Sequence, residues 1–291
     1  MQTMIDYILC CLRWERAVMH SVKRRAFLGL AAATFPVARI VQGQNRSGAQ
    51  PDVPVRKPKA VAKLFKSPEG HPNGLENTRE GLWIAEEVSE RAYLVDWTGK
   101  VLHKVDTESH NTSGIAVGGG FLWMSANGRG VGRDPRPTDR PGGEILQCDL
   151  KTGKTIRRFV PPWPGGLHGA TWNDTTQTLW LVAVGINALV EVDPKDNFRI
   201  QHILPARSTR PHGLDFEGDA IWCLFADALQ IHKLEQATGK SLEIIQLAKE
   251  DPDPHGLCMH EGKIYYSDAG IIPPGKLSNS PTSGYICRID L

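Results

Sequence analysis

The chain contains a succession of short apolar runs separated by turns rich in glycine, proline and asparagine. Runs such as residues 81–87 (GLWIAEE), 121–127 (FLWMSAN) and 178–184 (TLWLVAV) each carry an aromatic residue and are too short for typical helices. Segments of this length and composition, bounded by turn residues, are typical of β-strands. The pattern predicts a protein made of many short strands and almost no helix.

These strands fall into units that repeat along the chain. Each unit opens with a glycine-containing strand, and the glycines recur about every 40 to 55 residues. They are Gly74, Gly114, Gly169, Gly213 and Gly256. The second strands carry Trp83, Trp123, Trp180, Trp222 and Tyr265. A third strand that usually ends in an acid, and then a fourth strand, complete a unit of the kind that forms one blade of a β-propeller.

The two ends of the chain are predicted to share one blade. The fifth unit stops after its third strand at Leu291, and an unpaired strand, residues 62–67 (AKLFKS), precedes the first unit. Pairing this N-terminal strand with the last blade closes the ring and hides the sheet edges. We therefore predict an all-β fold, a β-propeller of five four-stranded blades over residues 61–291. Six blades are the alternative, if the long second unit contains a degenerate blade.

The N-terminal segment does not follow the repeat. Residues 21–38 place an arginine pair before an apolar run that is too short to cross a bilayer. This segment resembles a twin-arginine export signal within residues 1–43, with Met19 as an alternative start, and an uncleaved anchor is the other interpretation. Residues 44–60 are polar and proline-rich and predict a linker. We expect a periplasmic or otherwise extracytoplasmic protein, with no stable membrane span after signal cleavage.

Charge and composition indicate which kinds of partner the protein binds. A formal net charge of +2 over 291 residues gives no electrostatic footprint for nucleic acid. We interpret the tryptophans of the second strands as packing between blades. Four cysteines lie outside the predicted export signal, and we interpret them as apolar strand residues. They are Cys148, Cys223, Cys258 and Cys287. A monomer that acts on a small molecule is expected.

Polar side chains stand immediately before the repeat glycines. They are Asn73, Ser113, His168, His212 and His255. In an antiparallel meander the first strand starts on the face where the second strand ends, so these residues should meet at one mouth of the central channel. His71 and His110 lie just upstream on the same loops. The second strands end near Glu86, Glu87, Asn127, Asp227 and Asp268.

Imidazoles and carboxylates that converge in a cleft can hold a metal ion or act as general acids and bases. We predict a divalent or transition metal, with Mg, Zn, Fe and Cu not distinguished. The candidate ligands are His71, His110, His168, His212, His255 and Glu86. A histidine copied by duplication is also explained as a turn residue, so the prediction depends on the whole set.

Two long loops, residues 127–143 and 269–284, are predicted to overhang the same mouth. Four arginines in the first loop would attract an anionic ligand. Alternatively they would pair with Asp134 and Asp139 in a solvated loop. The candidate substrate-binding residues are Asn73, Asn127, Arg129, Arg133 and Asp227.

The sequence Pro-His-Gly-Leu occurs at residues 211–214 and 254–257, and Leu-Trp recurs in the second strands. These motifs resemble the streptogramin (virginiamycin B) lyase-like propellers, within the wider gluconolactonase and NHL-type group. The resemblance implies elimination that opens a cyclic ester, with a histidine as general acid or base near a magnesium ion. The matching residues here are His255 and Asp268. Blade four carries Phe225 in place of the acid, and the family's lyases have more blades.

Two functions stay open at this point. The first is an exported, metal-dependent lyase or hydrolase for a small substrate, either anionic or a cyclic ester. Its catalytic residues would be His255, His212 and Asp268, with Glu86 at the metal. The alternative is a non-catalytic extracytoplasmic propeller that binds a ligand or a protein partner, since propellers serve both classes.

Overall fold

The structure is a computed structural model that describes residues 53–128, 133–272, 276–278 and 280–291. The predicted export signal, most of the predicted linker and Arg129 lie outside these ranges. The described residues form strands joined by turns, with two 3₁₀ turns at Val184–Ile186 and Pro194–Asp196. No helix of the described residues is long and apolar enough to span a membrane.

Five sheets of four antiparallel strands, one of them extended by a short parallel strand, are arranged as the blades of a propeller. Two strands, β1 (Val55–Arg56) and β2 (Ala60–Lys66), precede the first blade. Blade 1 contains β3 (Pro72–Thr78), β4 (Gly81–Glu86), β5 (Arg91–Val95) and β6 (Val101–Asp106). Blade 2 contains β7 (Thr112–Gly118), β8 (Phe121–Ala126), β9 (Glu144–Asp149) and β10 (Thr155–Phe159). Blade 3 contains β11 (Leu167–Asn173), β12 (Thr178–Ala183), β13 (Ala188–Asp193) and β14 (Arg199–Pro205).

The last two blades each include a strand from the N-terminal part. Blade 4 contains β15 (Pro211–Glu217), β16 (Ala220–Phe225), β17 (Gln230–Glu235) and β18 (Ser241–Gln246), and β1 pairs with β18 in parallel. Blade 5 contains β19 (Pro254–His260), β20 (Lys263–Asp268) and β23 (Tyr285–Asp290), and β2 completes it. The long loop of blade 5 adds a small hairpin of β21 (Ile271–Ile272) and β22 (Lys276–Leu277).

The predicted architecture is confirmed. The described residues form five blades, and β2 pairs with β23 so that the N-terminal strand closes the last blade. The short β1 was missed because it falls in a segment whose composition indicated a linker. Through β1, the residues that precede the first blade pair with blade 4 as well as with blade 5.

The core lies between adjacent sheets. Trp83, Trp123, Trp180 and Trp222 are all buried there, as the packing interpretation required. The cysteines of the described residues, Cys148, Cys223, Cys258 and Cys287, are free and buried within strands, which confirms their interpretation as apolar strand residues.

The repeat glycines close the propeller axis. A Cβ at Gly213 would lie 2.2 Å from the Leu257 backbone nitrogen, and one at Gly169 would lie 2.2 Å from the His212 carbonyl oxygen. These approaches are closer than any side chain tolerates, so the inner strands require glycine here. The space between the strands at this level does not admit a water molecule. The predicted central channel is therefore sealed at the glycine layer, and the two mouths are separate.

Candidate functional site

The first strand of each blade lies nearest the propeller axis, and its pairing with the second strand is irregular near the repeat glycine. These inner strands are β3, β7, β11, β15 and β19. The pairing register shifts between Pro72 and Gly74 in blade 1, and at the equivalent point of each other blade. Such a β-bulge adds one residue to the strand and redirects a side chain. The redirected residues are Asn73, Ser113, His168, His212 and His255, which we call the upper ring. All are between 1% and 7% exposed.

Side chains of the upper ring contact one another between blades. The His168 and His212 rings stack with centroids 4.2 Å apart and planes 24° apart. His255 meets His212 edge to face, with centroids 4.7 Å apart. On the other side, Asn73 Nδ2 donates to Ser113 Oγ at 3.3 Å. We call His168, His212 and His255 the histidine trio.

Backbone carbonyls set the tautomers of two trio members. His168 Nδ1 lies 3.0 Å from the Pro211 carbonyl oxygen, and His255 Nδ1 lies 3.3 Å from that of Asp253. Because a carbonyl oxygen only accepts, both imidazoles carry their proton on Nδ1 and a lone pair on Nε2. His212 Nδ1 is buried and has no hydrogen-bond partner among protein atoms.

Burial keeps the trio neutral. Loss of water around the charged form lowers the pKa of His168 to about 4 and that of His255 to about 3. The same cause lowers the pKa of His212 well below its ordinary value. The nearby positive charge of Arg210 lowers all three further. At neutral pH the site therefore contains three uncharged imidazoles.

Arg210 is the main functional residue that the sequence analysis missed. Its Nη2 donates to His255 Nε2 at 3.1 Å, and its Nη1 lies 3.5 Å from Asp227 Oδ1. Its side chain is 38% exposed, whereas the histidines beneath are buried. A signal was present, because Arg210 stands three residues before Gly213, as His71 does before Gly74.

A second set of polar groups lies on blades 1 and 2, and of these the sequence analysis missed Asn111. Glu87 is 7% exposed, and burial raises its pKa to about 8 while the charge of Arg210 lowers it. Glu87 Oε2, Asn73 Oδ1 and Asn111 Oδ1 are buried without a protein partner. Buried polar atoms are nearly always paired, so a group of them, with His212 Nδ1, indicates a place for water or a polar ligand.

Several predicted ligands instead hold the loops of the mouth. Glu86 is fully buried, and its carboxylate accepts from the backbone nitrogens of Glu69 at 3.0 Å and His71 at 2.8 Å. Asp268 accepts from the backbone nitrogens of Gly270 and Gly284, each at 3.2 Å. The expected pair of His255 with Asp268 is therefore replaced by separate backbone partners.

The upstream histidines are likewise bound to the backbone. His71 Nδ1 lies 3.4 Å from the Ala269 carbonyl oxygen. His110 Nδ1 lies 2.6 Å from the Arg140 carbonyl oxygen, and its Nε2 is 3.9 Å from an Asp139 oxygen. Neither contacts the trio, so the structure does not bring the five histidines together.

Two arginines of the first long loop, Arg133 and Arg136, pair with Asp139 as the alternative expected, but their other acidic partner is Glu90 and not Asp134. Arg133 lies 2.5 Å from Glu90 and 2.6 Å from Asp139, and Arg136 contacts both acids. Glu90 is only 1% exposed, so this is a buried ion-pair network that fixes the loop. Of the other predicted substrate-binding residues, Asn127 donates its backbone N–H to Asn111 at 2.9 Å, and Asp227 faces Arg210.

These residues do not fit the predicted metal. Among the described residues, no group of three or more His, Cys, Asp or Glu side chains is arranged to hold an ion. The lone pair on Nε2 of His255 accepts from the cationic guanidinium of Arg210, so it is not free for a metal ion. The candidates His71, His110 and Glu86 are bound to backbone groups.

Comparison with known proteins supports the fold. The sequence matches no protein-family model and no curated protein. The structure is similar to Myxococcus xanthus glutaminyl cyclase, with 12% identity over 82% of this chain and 97% of that chain and a TM-score of 0.56. A streptogramin B lyase matches with 12% identity over 80% and 97% of the two chains and a TM-score of 0.50. The resemblance to lyase-like propellers is thus confirmed for the fold alone.

Proposed function

We propose that the chain is an extracytoplasmic β-propeller enzyme that eliminates an oxygen leaving group from a small anionic substrate by acid–base chemistry. The observation that supports this most is the trio of neutral imidazoles, two of which have tautomers set by backbone carbonyls, beside the partly exposed guanidinium of Arg210. The arginine pair and apolar run of residues 21–38 support the extracytoplasmic location.

His168 is the proposed base. Its Nδ1–H is held by Pro211, its Nε2 carries a lone pair, and it is the most exposed member of the trio at 7%. A pKa near 4 makes a weak base in the free protein. An anionic substrate beside the imidazole would raise that pKa towards neutrality, where general bases act best.

Arg210 and Glu87 supply the complementary groups. Arg210 uses one N–H on His255 and keeps others for an anionic group of the substrate. Glu87, with a pKa of about 8, is protonated at neutral pH and can give its proton to the leaving oxygen. His255 then acts as a positioning residue, because its Nε2 orients the guanidinium.

The test is a product assay with the full chain purified after export. Linear esters, cyclic esters and hydroxy acids are incubated with the protein, and products are identified by NMR and by oxygen-18 incorporation. Elimination gives a new C=C bond without oxygen-18, whereas hydrolysis gives oxygen-18 in the products.

We expect elimination products that fall by about 100-fold or more in His168→Asn. The matched control is His202→Asn, which changes a histidine of β14 that contacts Trp180 on the outer part of blade 3. Hydrolysis alone, no turnover, or equal activity in His168→Asn would contradict the proposal.

A further inference from the structure

We infer that the substrate is a carboxylate with a hydroxyl group on its β-carbon. This inference rests on the proposed function and names the substrate class of the same site. It comes from the way in which hydrogen-bond donors and acceptors without protein partners are distributed around the upper ring.

The side of the mouth on blades 1 and 2 presents acceptors. Asn73 Nδ2 donates to the Thr112 carbonyl oxygen at 3.1 Å, which fixes the amide orientation and leaves Oδ1 as the unpaired acceptor. Asn111 Oδ1 is also buried and unpaired. Its backbone N–H donates to Glu90 Oε1 at 2.5 Å, and its φ of 58° places it in the left-handed region. Two amide oxygens of this kind can each accept from an O–H or N–H donor, which water supplies in the free protein and a ligand can replace.

The opposite side presents donors. Arg210 stands over His255 with its guanidinium 38% exposed and with N–H groups beyond those that face His255 and Asp227. A planar guanidinium binds a carboxylate through two parallel hydrogen bonds. Among the described residues of the loop 127–143, Arg133, Arg136 and Arg140 are already paired with Glu90, Asp139 or Glu144. The carboxylate end of the ligand is therefore assigned to Arg210.

Glu87 connects the two sides. It is close enough to Arg210 for the charge of the guanidinium to affect its ionisation, and its Oε2 has no protein partner. A hydroxyl can donate to an asparagine oxygen and accept from a protonated carboxyl at the same time. An ether or ketone has no hydrogen to donate and would leave the amide oxygens unpaired.

Elimination of water from a β-hydroxy carboxylate accounts for every proton and electron pair with the groups of this site. His168 Nε2 takes the proton from the α-carbon, and the C–H electron pair forms the C=C bond between the α- and β-carbons. The bond from the β-carbon to oxygen breaks, and the oxygen leaves as water with the proton of Glu87. Exchange of protons with solvent restores both side chains, and an α,β-unsaturated carboxylate remains.

The test measures binding with three matched probes: 3-hydroxybutyrate, butyrate and 3-hydroxybutyramide. Titrations of the full chain are followed by calorimetry or by ligand NMR, in the wild type and in His168→Asn, where turnover is blocked. We expect 3-hydroxybutyrate to bind about tenfold more tightly than either probe that lacks one group. Equal affinities for 3-hydroxybutyrate and butyrate, or for 3-hydroxybutyrate and the amide, would overturn the inference.

Two variants test which residues bind the hydroxyl end and the carboxylate end of the ligand. Asn111→Gly removes the acceptor and keeps a residue that tolerates positive φ, so it should reduce 3-hydroxybutyrate affinity to that of butyrate. Arg210→Gln should remove the preference for the acid over the amide. Arg199→Gln is the matched control, because Arg199 pairs with Asp196 on an exposed turn. Unchanged preferences in Asn111→Gly or Arg210→Gln would overturn the assignment.

Failure of this inference and failure of the proposed function are distinguishable. If the expected binding pattern is found without elimination by the wild type, the ligand class stands and the enzyme proposal fails. If other substrates undergo elimination that depends on His168 but the probes show no preference, the function stands and the β-hydroxy assignment fails.

Discussion

His168 and Glu87 have pKa values shifted in opposite directions by one cause, the loss of water around the charged form. Burial disfavours the imidazolium and the carboxylate alike, so the histidine stays neutral and the glutamate stays protonated. Between pH of about 4 and about 8, the free protein therefore contains a neutral His168 that can accept a proton and a protonated Glu87 that can donate one.

This pair of values sets the expected pH dependence of activity. The kcat/KM should rise with pH as His168 loses its proton at about 4 and fall as Glu87 loses its proton at about 8. Measurement of initial rates from pH 3 to 10 checks this. Glu87→Gln should lower activity and remove the alkaline limb. An alkaline limb that is unchanged in Glu87→Gln would show that another group is the acid.

The depressed pKa of His168 also predicts acid sensitivity of the fold. Its unfolded pKa of 6.5 exceeds the folded value of about 4, so the unfolded chain binds more protons between these values. Stability contributed above pH 6.5 is therefore lost as the pH falls towards 4. His168→Asn should reduce the difference in unfolding free energy between pH 7 and pH 5 by about 2 kcal/mol. Urea unfolding at both pH values measures this, and an unchanged difference would mean that His168 is not buried as described.

The strands and blades could be predicted from the sequence, whereas the bulges within the inner strands could not. Short apolar runs with one aromatic each, at a regular spacing, were sufficient to identify the strands, the blades and the closing strand β2. The residue before each glycine was correctly placed at one mouth. The bulge that redirects it was not predictable, because it depends on pairing with the neighbouring strand rather than on the local pattern.

Adjacent acids at the end of β4 illustrate what the sequence left open. Glu86 is the last residue of β4 and Glu87 follows it in the turn, so the local pattern does not decide which of the two carboxylates faces the mouth. Glu86 was chosen, yet it binds backbone nitrogens of the loop, and Glu87 has the unpaired oxygen. The pairing of Arg133 with Glu90 was likewise hidden, because it joins residues that are far apart in sequence.

The glycine layer gives a stability prediction for the inner strands. Gly213→Ala would place a Cβ 2.2 Å from the Leu257 backbone nitrogen, and backbone cannot move aside easily. We expect a loss of about 3 kcal/mol in unfolding free energy, or failure to fold. Gly142→Ala is the control, because no atom lies within 4 Å of its Cβ position. Equal thermal stability of the two variants would contradict the sealed axis.

For the molecule as a whole, the sealed axis gives each mouth its own chemistry. The lower mouth contains the carboxyl groups of Glu76, which is buried, and of Asp215, which is half-buried, and desolvation raises the pKa values of both. The upper mouth contains the histidine trio and Arg210. A substrate of the upper mouth must enter and leave on the same side, past the loops that Asp268 and the Glu90 network fix in place.

The central claim is that three neutral imidazoles form the acid–base site of the upper mouth, and that backbone carbonyls set the tautomers of two of them, His168 and His255. Nitrogen-15 NMR of the histidine-labelled full chain tests it most directly, with His168→Asn, His212→Asn and His255→Asn used to assign the signals. We expect His168 and His255 to be protonated on Nδ1 alone at pH 7, and all three to remain neutral at pH 6. A charged imidazole in the trio at pH 6, or a proton on Nε2 of His168, would contradict the account.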